Sequence, residues 1–295
     1  MNLRGCQSMI APIERVLLLH VREAWGDQAR VDAQWRAIGF ADRPDFARAC
    51  EECDDFVALL RSLGVAVELL PRHEACTLDA IYVHDPIVLA ERGAIVGSMG
   101  KPTRVPEVEA LRGSLEQLGV AIAGQVTGAT AKLESGDVLW IDARTLAIGQ
   151  GFRSNAEGIA QLCGMLGDAV DEIVPVPLPH WNGPDDCVHL MSLVNLIDRD
   201  LAVVYPRLLP VPFLEWLCAR GIRLIEVPDA EYQTAGPNVL TIAPRVCVMT
   251  TRNPVTQHAL EQGGAHVWTF DGTEICAKGG GGPTCLVLPI QRAPG

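Results

Sequence analysis

Near the C-terminus, four glycines, Gly279 to Gly282, lead through Pro283 and Thr284 to Cys285, and an apolar stretch to Ile290 follows at once. Such a run either makes a turn with positive φ or lets something approach the backbone closely, with the thiol beside it. Elsewhere the chain carries Asp85 in YVHDP, Glu134 and Asp137 in ESGD, His189 in HLMS and Asn238 in GPNV. A thiol, an imidazole and carboxylates are groups that attack, carry protons and hold positive charge. They serve only if they meet, and 200 residues separate Asp85 from Cys285.

An internal repeat supplies the meeting point. Helical patterns recur at 55–64, 107–119, 157–167, 212–221 and 254–264, each closed by a glycine; Val108, Leu111, Leu115 and Leu118 show the spacing best. In the fifth, Asn253 stands at the N-cap position and Pro254 in the first turn. A β-branched strand follows each helix. Second strands are then expected at 80–90, 131–141, 187–197, 236–243 and 282–290, and the first four turn back through ERG, DAR, DRD and PR. The N-terminal strand 14–21 has no hairpin partner, so it should pair into the fifth unit and close a ring, because an open edge leaves backbone groups unpaired. The second strands carry Asp85, the Glu134/Asp137 pair, His189, Asn238 and Cys285 at successive spacings of 52, 52, 49 and 47, counted through Asp137. Five similar units about an axis bring these positions together at its centre.

Composition bounds the rest. The 295 residues, 48% hydrophobic and 20% charged, suit a globular chain with a substantial core. Residues 1–13 read as an N-terminal extension and 14–295 as a single catalytic domain. A net charge of -12 argues against nucleic acid and anionic membrane as partners and favours a cationic substrate. No apolar run approaches the ~18 residues of a membrane span, and the start lacks the pattern of a signal peptide. The ten cysteines are scattered, which reads as reduced thiols and a cytoplasmic location. Cys50 and Cys53 form a CxxC without a second pair at zinc spacing, so they read as a packed helix face.

Six motifs in order, DAIYVHDP (79–86), GKPTR (100–104), LESGDVL (133–139), FRSN (152–155), HLMS (189–192) and GGGGPTC (279–285), cover most of the chain. On these the sequence resembles the guanidino-group-modifying, or pentein, superfamily, and within it the dimethylarginine dimethylaminohydrolase family. The resemblance implies an α/β fold, a five-bladed α/β-propeller of ββαβ-type repeats about a pseudo-fivefold axis. It implies Cys285 as nucleophile, His189 as general acid and base, and Glu134 and Asp85 as the grip on a small cationic guanidino substrate. Asp79, Arg104 and Arg153 would be substrate-binding positions, the arginines for a substrate carboxylate. Cys285 would attack the guanidino carbon and His189 would protonate the departing amine. Water activated by His189 would then release a ureido product from the thiouronium. No cofactor and no metal is implied, and a homodimer is left open. The glycine run would let backbone crowd the substrate.

The bare residues leave choices. Glu134 and Asp137, three apart in an extended segment, would face opposite ways, Glu134 to the substrate and Asp137 to the turn or His189. His180, in the loop before the third unit, rivals His189, and Asn238 marks the fourth unit with a turn cap as its plain alternative. His84, a further substrate-binding candidate, replaces the acidic residue that dimethylargininases commonly carry there and leans towards a different alkyl-guanidine preference. Met191 stands where arginine deiminases and amidinotransferases favour aspartate. The rival readings are an arginine deiminase-like hydrolase, an amidinotransferase and, outside enzymes, a propeller-fold binding protein. Segment 22–44 fits no repeat and is a candidate lid.

Overall fold

The computed structural model describes residue 3, residues 5–184 and residues 188–293. β1 (Ile13–Leu18) leads through α1 (Val21–Trp25), α2 (Gln28–Gln34) and α3 (Phe46–Ser62) to β2 (Ala66–Leu69). Three units of one order follow. They are β3 (Ile87–Ala90), β4 (Gly93–Val96), α4 (Val105–Gln117), β5 (Ile122–Gln125); β6 (Val138–Trp140), β7 (Thr145–Gln150), α5 (Ala156–Leu166), β8 (Glu172–Pro177); and β9 (Val194–Asp198), β10 (Leu201–Val204), α6 (Val211–Ala219), β11 (Arg223–Glu226). After α7 (Asp229–Tyr232) the order returns in β12 (Leu240–Ala243), β13 (Val246–Thr250), α8 (Pro254–Gln262) and β14 (His266–Phe270), and β15 (Leu288–Arg292) ends the series.

The strands form five three-stranded sheets. In four, a hairpin is joined by a parallel strand after a helical crossover, β3-β4-β5 being the pattern. The fifth is built from both ends of the chain: β1 lies antiparallel to β15 and parallel to β2. The unpartnered N-terminal strand thus finds the fifth unit, as its exposed edge demands. Ile87–Ala90, Gly93–Val96 and Leu201–Val204 are buried throughout, as strands covered on both faces should be. On α4, Val108, Leu111 and Leu115 face the core. The glycines after the five long helices, Gly64, Gly119, Gly167, Gly221 and Gly264, all have positive φ, which explains why side chains stop there.

Three expectations are corrected. The second strands begin later than their apolar runs, because one-turn 3₁₀ segments, Leu78–Ile81, Ser135–Asp137 and Leu190–Ser192, precede β3, β6 and β9. Pro86 cannot donate to a ladder, and Ser135-Gly136-Asp137 is turn chemistry. Asn253 stands at the N-cap position of α8 as expected, but its side chain makes no capping bond; its amide donates to Thr234 O, and Glu231 accepts the Val255 and Thr256 amides instead. Within the expected extension, Gln7 is bound to the rest of the fold, donating to Ala143 O and accepting from Glu91 N. Cys50 and Cys53 are buried on α3 with free thiols, as a packed face requires. Among the described residues no helix is long and apolar enough to cross a membrane.

Candidate active site

The late start of the second strands shapes the site. In a 3₁₀ turn, residues three apart eclipse one another, so Glu134 and Asp137 both come to the His189 segment instead of facing opposite ways. His189 Nε2 lies 2.8 Å from Glu134 Oε2, while Asp137 Oδ1 accepts the amide of Leu190, the next residue, at 3.0 Å. Gly136 is required between them, since a Cβ there would come within 2.5 Å of His189 Nδ1. Asp85 is held from behind, its carbonyl accepting Ser135 N at 2.7 Å. Its Oδ1 lies 3.7 Å from His189 Nδ1.

The carboxylates are employed differently. Glu134 is fully buried and nearly saturated: Oε1 accepts from Gly100 N (2.7 Å) and Arg153 Nε (2.9 Å), and Oε2 faces the imidazole. With three of about four acceptor sites taken, Glu134 is placed against His189 and has little left for the substrate grip expected of it. Asp85 accepts Arg104 NH1 on Oδ2 at 2.5 Å, but Oδ1 is buried with no hydrogen-bond partner among the described residues. Burial works to raise both carboxyls, yet for Asp85 the His189 and Arg104 charges outweigh it, and for Glu134 the His189 hydrogen bond and Arg153 do so. Both are held below the usual carboxylate range. Asp137 lacks such a cation in contact, and burial pushes it up to about 6.

The arginines are also reassigned. Arg104, buried, donates to Asp85, to both oxygens of Glu107 and to Tyr82 O. It braces Asp85 and has little left for a substrate carboxylate. Arg153 is buried against Glu134. Asp79 is buried and paired at 2.6 Å with Lys101 Nζ, which also donates to Ile38 O in segment 22–44. That segment is also tied to the residue before the glycine run, where Ala41 N donates to Lys278 O. His84 is corrected outright. Consecutive residues point opposite ways, so with Asp85 aimed at His189 the His84 ring turns to Ser135, Met9 and Arg292. Only its backbone N–H serves the site, donating to Cys285 O at 3.2 Å. His180 is exposed against Phe152.

Cys285 is half-buried, its thiol pushed up by burial and by the Asp85 charge and drawn down by His189. Asn238 Nδ2 donates to Sγ at 3.5 Å, while Asn238 Oδ1 accepts Thr284 N and Oγ1 at 3.0 and 2.8 Å. Asn238 therefore does more than cap a turn: it fixes the residue before the cysteine and reaches the sulfur. The glycine run is explained by the protein itself rather than by a substrate. Cβ atoms on Gly279 and Gly281 would overlap Tyr82, one on Gly282 would overlap Asn238, and Gly280 takes φ +76°. Sequence reading also missed Lys101, Gly100 and Glu107. Two of these lie inside the GKPTR motif, and the third sits three residues past Arg104 on α4, where ion pairs form. The ligand atoms of Asp85, Glu134 and His189 lie within 4.8 Å of one another, a metal-like spacing. One oxygen of each carboxylate already answers an arginine, which leaves the cluster better matched to a monocation than to a dication.

Comparison places this arrangement among known proteins. Residues 28–292 match a sequence model described as N,N dimethylarginine dimethylhydrolase, eukaryotic. An uncharacterized protein of Bacillus subtilis, YkgA, is 28% identical over 80% of this chain and 78% of its own. The dimethylarginine dimethylaminohydrolase of Pseudomonas aeruginosa is 24% identical over 83% of this chain and 90% of its own. The arginine deiminase of Mycobacterium avium is 29% identical, but the match covers 56% of this chain and only 48% of that enzyme. Among solved structures, a mutant Pseudomonas aeruginosa DDAH complexed with citrulline superposes with TM-score 0.74 at 21% identity, over 94% of this chain and 99% of the other. SxtG, an amidinotransferase from Microseira wollei, gives 0.78 at 15% identity, over 98% and 97%. By the length of the family match and the shared fold, this chain belongs to the dimethylarginine dimethylhydrolase family of the pentein superfamily.

Proposed function

We propose that the protein is a hydrolase that cleaves a guanidino C–N bond through a thiouronium on Cys285, with an N-methylated arginine as substrate and citrulline and an alkylamine as products. In this reading the five sheets stand as blades of an α/β-propeller and the site lies on its axis. The observation that carries the proposal is the Asp85 Oδ1 oxygen: buried, charged and without a hydrogen-bond partner among the described residues, beside both the imidazole and the thiol. An anion so placed calls for N–H donors, and a planar guanidinium supplies them in pairs.

The steps follow from the residues. In the free protein burial and Asp85 keep the Cys285 thiol protonated. A bound cation offsets Asp85, lowers the thiol pKa and so helps to make its own nucleophile. The thiol proton passes to His189 Nδ1, the sulfur attacks the guanidino carbon and a C–S bond forms. Glu134 holds His189 Nε2, which leaves Nδ1 to protonate the departing amine as the C–N bond breaks. Nδ1 then takes a proton from water, the hydroxide attacks the same carbon, and the C–S bond breaks to give the ureido product and free thiolate.

A second reading is favoured by one observation, the 29% identity to arginine deiminases. A panel of dimethylarginine, monomethylarginine, arginine and agmatine, scored for ureido product and amine with and without glycine or ornithine, separates these activities and an amidinotransferase. Cys285→Ser should abolish turnover and keep binding; unchanged turnover would remove the proposal.

A further inference from the structure

Behind the site lies a group that the reaction does not use. Arg292 on β15 is only 4% exposed, and its guanidinium has one hydrogen-bond partner among the described residues, the neutral carbonyl of Ala11 at 2.6 Å. Among the described residues no salt bridge joins it to a carboxylate. Burial draws it down to about 10, and the only opposing influence is Cys6. A guanidinium stays charged at neutral pH all the same, and an isolated buried charge is costly enough that such groups are paired.

The guanidinium borders a cavity of about 40 Å³. The same cavity is lined by Ser8, Ser135 and His84. Ser8 Oγ already accepts the amides of Ile10 and Ala11, so its hydroxyl proton is left to donate. His84 Nδ1 is buried without a partner. A guanidinium, two hydroxyls and an imidazole thus share an otherwise apolar space larger than the ~10–15 Å³ that one water needs. Ser8 also borders a groove of about 1200 Å³ at the hairpin-turn end of the sheets, where Arg92, Arg199 and Arg220 stand. Glu91 and Asp142 line that groove too, and Arg92 and Arg220 are paired with Asp168 and Glu172, so the groove is of mixed charge and the anion is held by the cavity itself.

We propose that this cavity binds a small inorganic monoanion, of which chloride is the working probe, held by Arg292, Ser8 and His84. The anion neutralises the guanidinium and fixes the segment whose next residue is Asp85. The site does not depend on which guanidino compound is turned over.

Bromide replaces chloride in the first test. Crystals grown in sodium bromide should show anomalous density within hydrogen-bond reach of the Arg292 guanidinium. In thermal melts at constant ionic strength, chloride should stabilise the parent protein over gluconate. At chloride ten times its Kd the folding equilibrium moves about elevenfold, a shift of roughly 2 °C or more. Arg292→Met should lose that chloride effect and be at least as stable as the parent in gluconate, since no charge remains to be neutralised. Ser8→Ala should shrink the effect and serves if the first variant does not fold. Water alone in the cavity of bromide-grown crystals would overturn the proposal. So would an undiminished chloride effect in both variants.

Discussion

Replacing Glu134 by glutamine asks whether this carboxylate holds the imidazole or the substrate. The change keeps the shape and one carbonyl oxygen, which can still accept Gly100 N, but removes the charge facing His189 Nε2 at 2.8 Å and Arg153 Nε at 2.9 Å. Coulomb's law at an effective dielectric of about 20 gives roughly 6 kcal/mol for unit charges at 2.8 Å, while a hydrogen bond to a charged group is worth about 1.5–3 kcal/mol in mutational series. The imidazolium that forms as Cys285 attacks should therefore lose about 3–6 kcal/mol, and kcat should fall by about 10²–10⁴. Because Oε2 contacts the catalytic base, KM should change little. Steady-state release of the ureido product, read alongside substrate binding to Cys285→Ser, makes the comparison. A large rise in KM at near-normal kcat would mean that Glu134 grips the guanidinium after all, and the orienting role would be refuted. Urea unfolding supplies a control, because Arg153 is left buried without its anion and stability should drop by about 3–5 kcal/mol.

Asp85→Asn should lower the Cys285 pKa, since it removes the anion that raises it; ultraviolet titration of the thiolate reads this, and an unchanged or higher value would contradict the placement. Gly281→Ala should cost about 1–3 kcal/mol by pressing on Tyr82, and Tyr82→Leu should recover part of it. Asn238→Ala should lower activity about tenfold by freeing the Thr284–Cys285 turn, with no change in the pH profile expected of a proton-transfer residue. Glu52 accepts the amides of Glu274 and Ile275, and burial pushes its carboxyl up to about 7 from the ordinary 4.5. The folded chain thus holds that proton more tightly than the unfolded chain. The Glu52 contribution is full below about pH 4.5 and is lost as pH rises through about 7. In urea unfolding at pH 5 and pH 8, Glu52→Gln should flatten that decline, and an identical slope would refute it.

The pattern of what the sequence revealed follows from the range of each interaction. Helix ends were legible because Gly64, Gly119, Gly167, Gly221 and Gly264 meet a purely local demand for positive φ. The pairing of β1 with β15 was legible because a repeat short of one strand has only one strand left to take. Which residues meet was legible for the same reason: equivalent positions of repeated units converge whatever lies between them. What each residue does there was not legible, because it depends on geometry finer than the repeat. A single 3₁₀ turn at Ser135–Asp137 moves Glu134 from the substrate to His189, and one step along extended backbone turns His84 away while Asp85 turns in. The glycine run teaches the same point, since the demand for bare backbone comes from Tyr82 and Asn238, roughly 200 and 40 residues away in the chain. Motif order therefore selects the members of the site, and turns of one or two residues assign their work. For this reason the substitution most able to redirect the chemistry is expected at Gly136, where any side chain would displace His189 and Asp85 together without changing the identity of either.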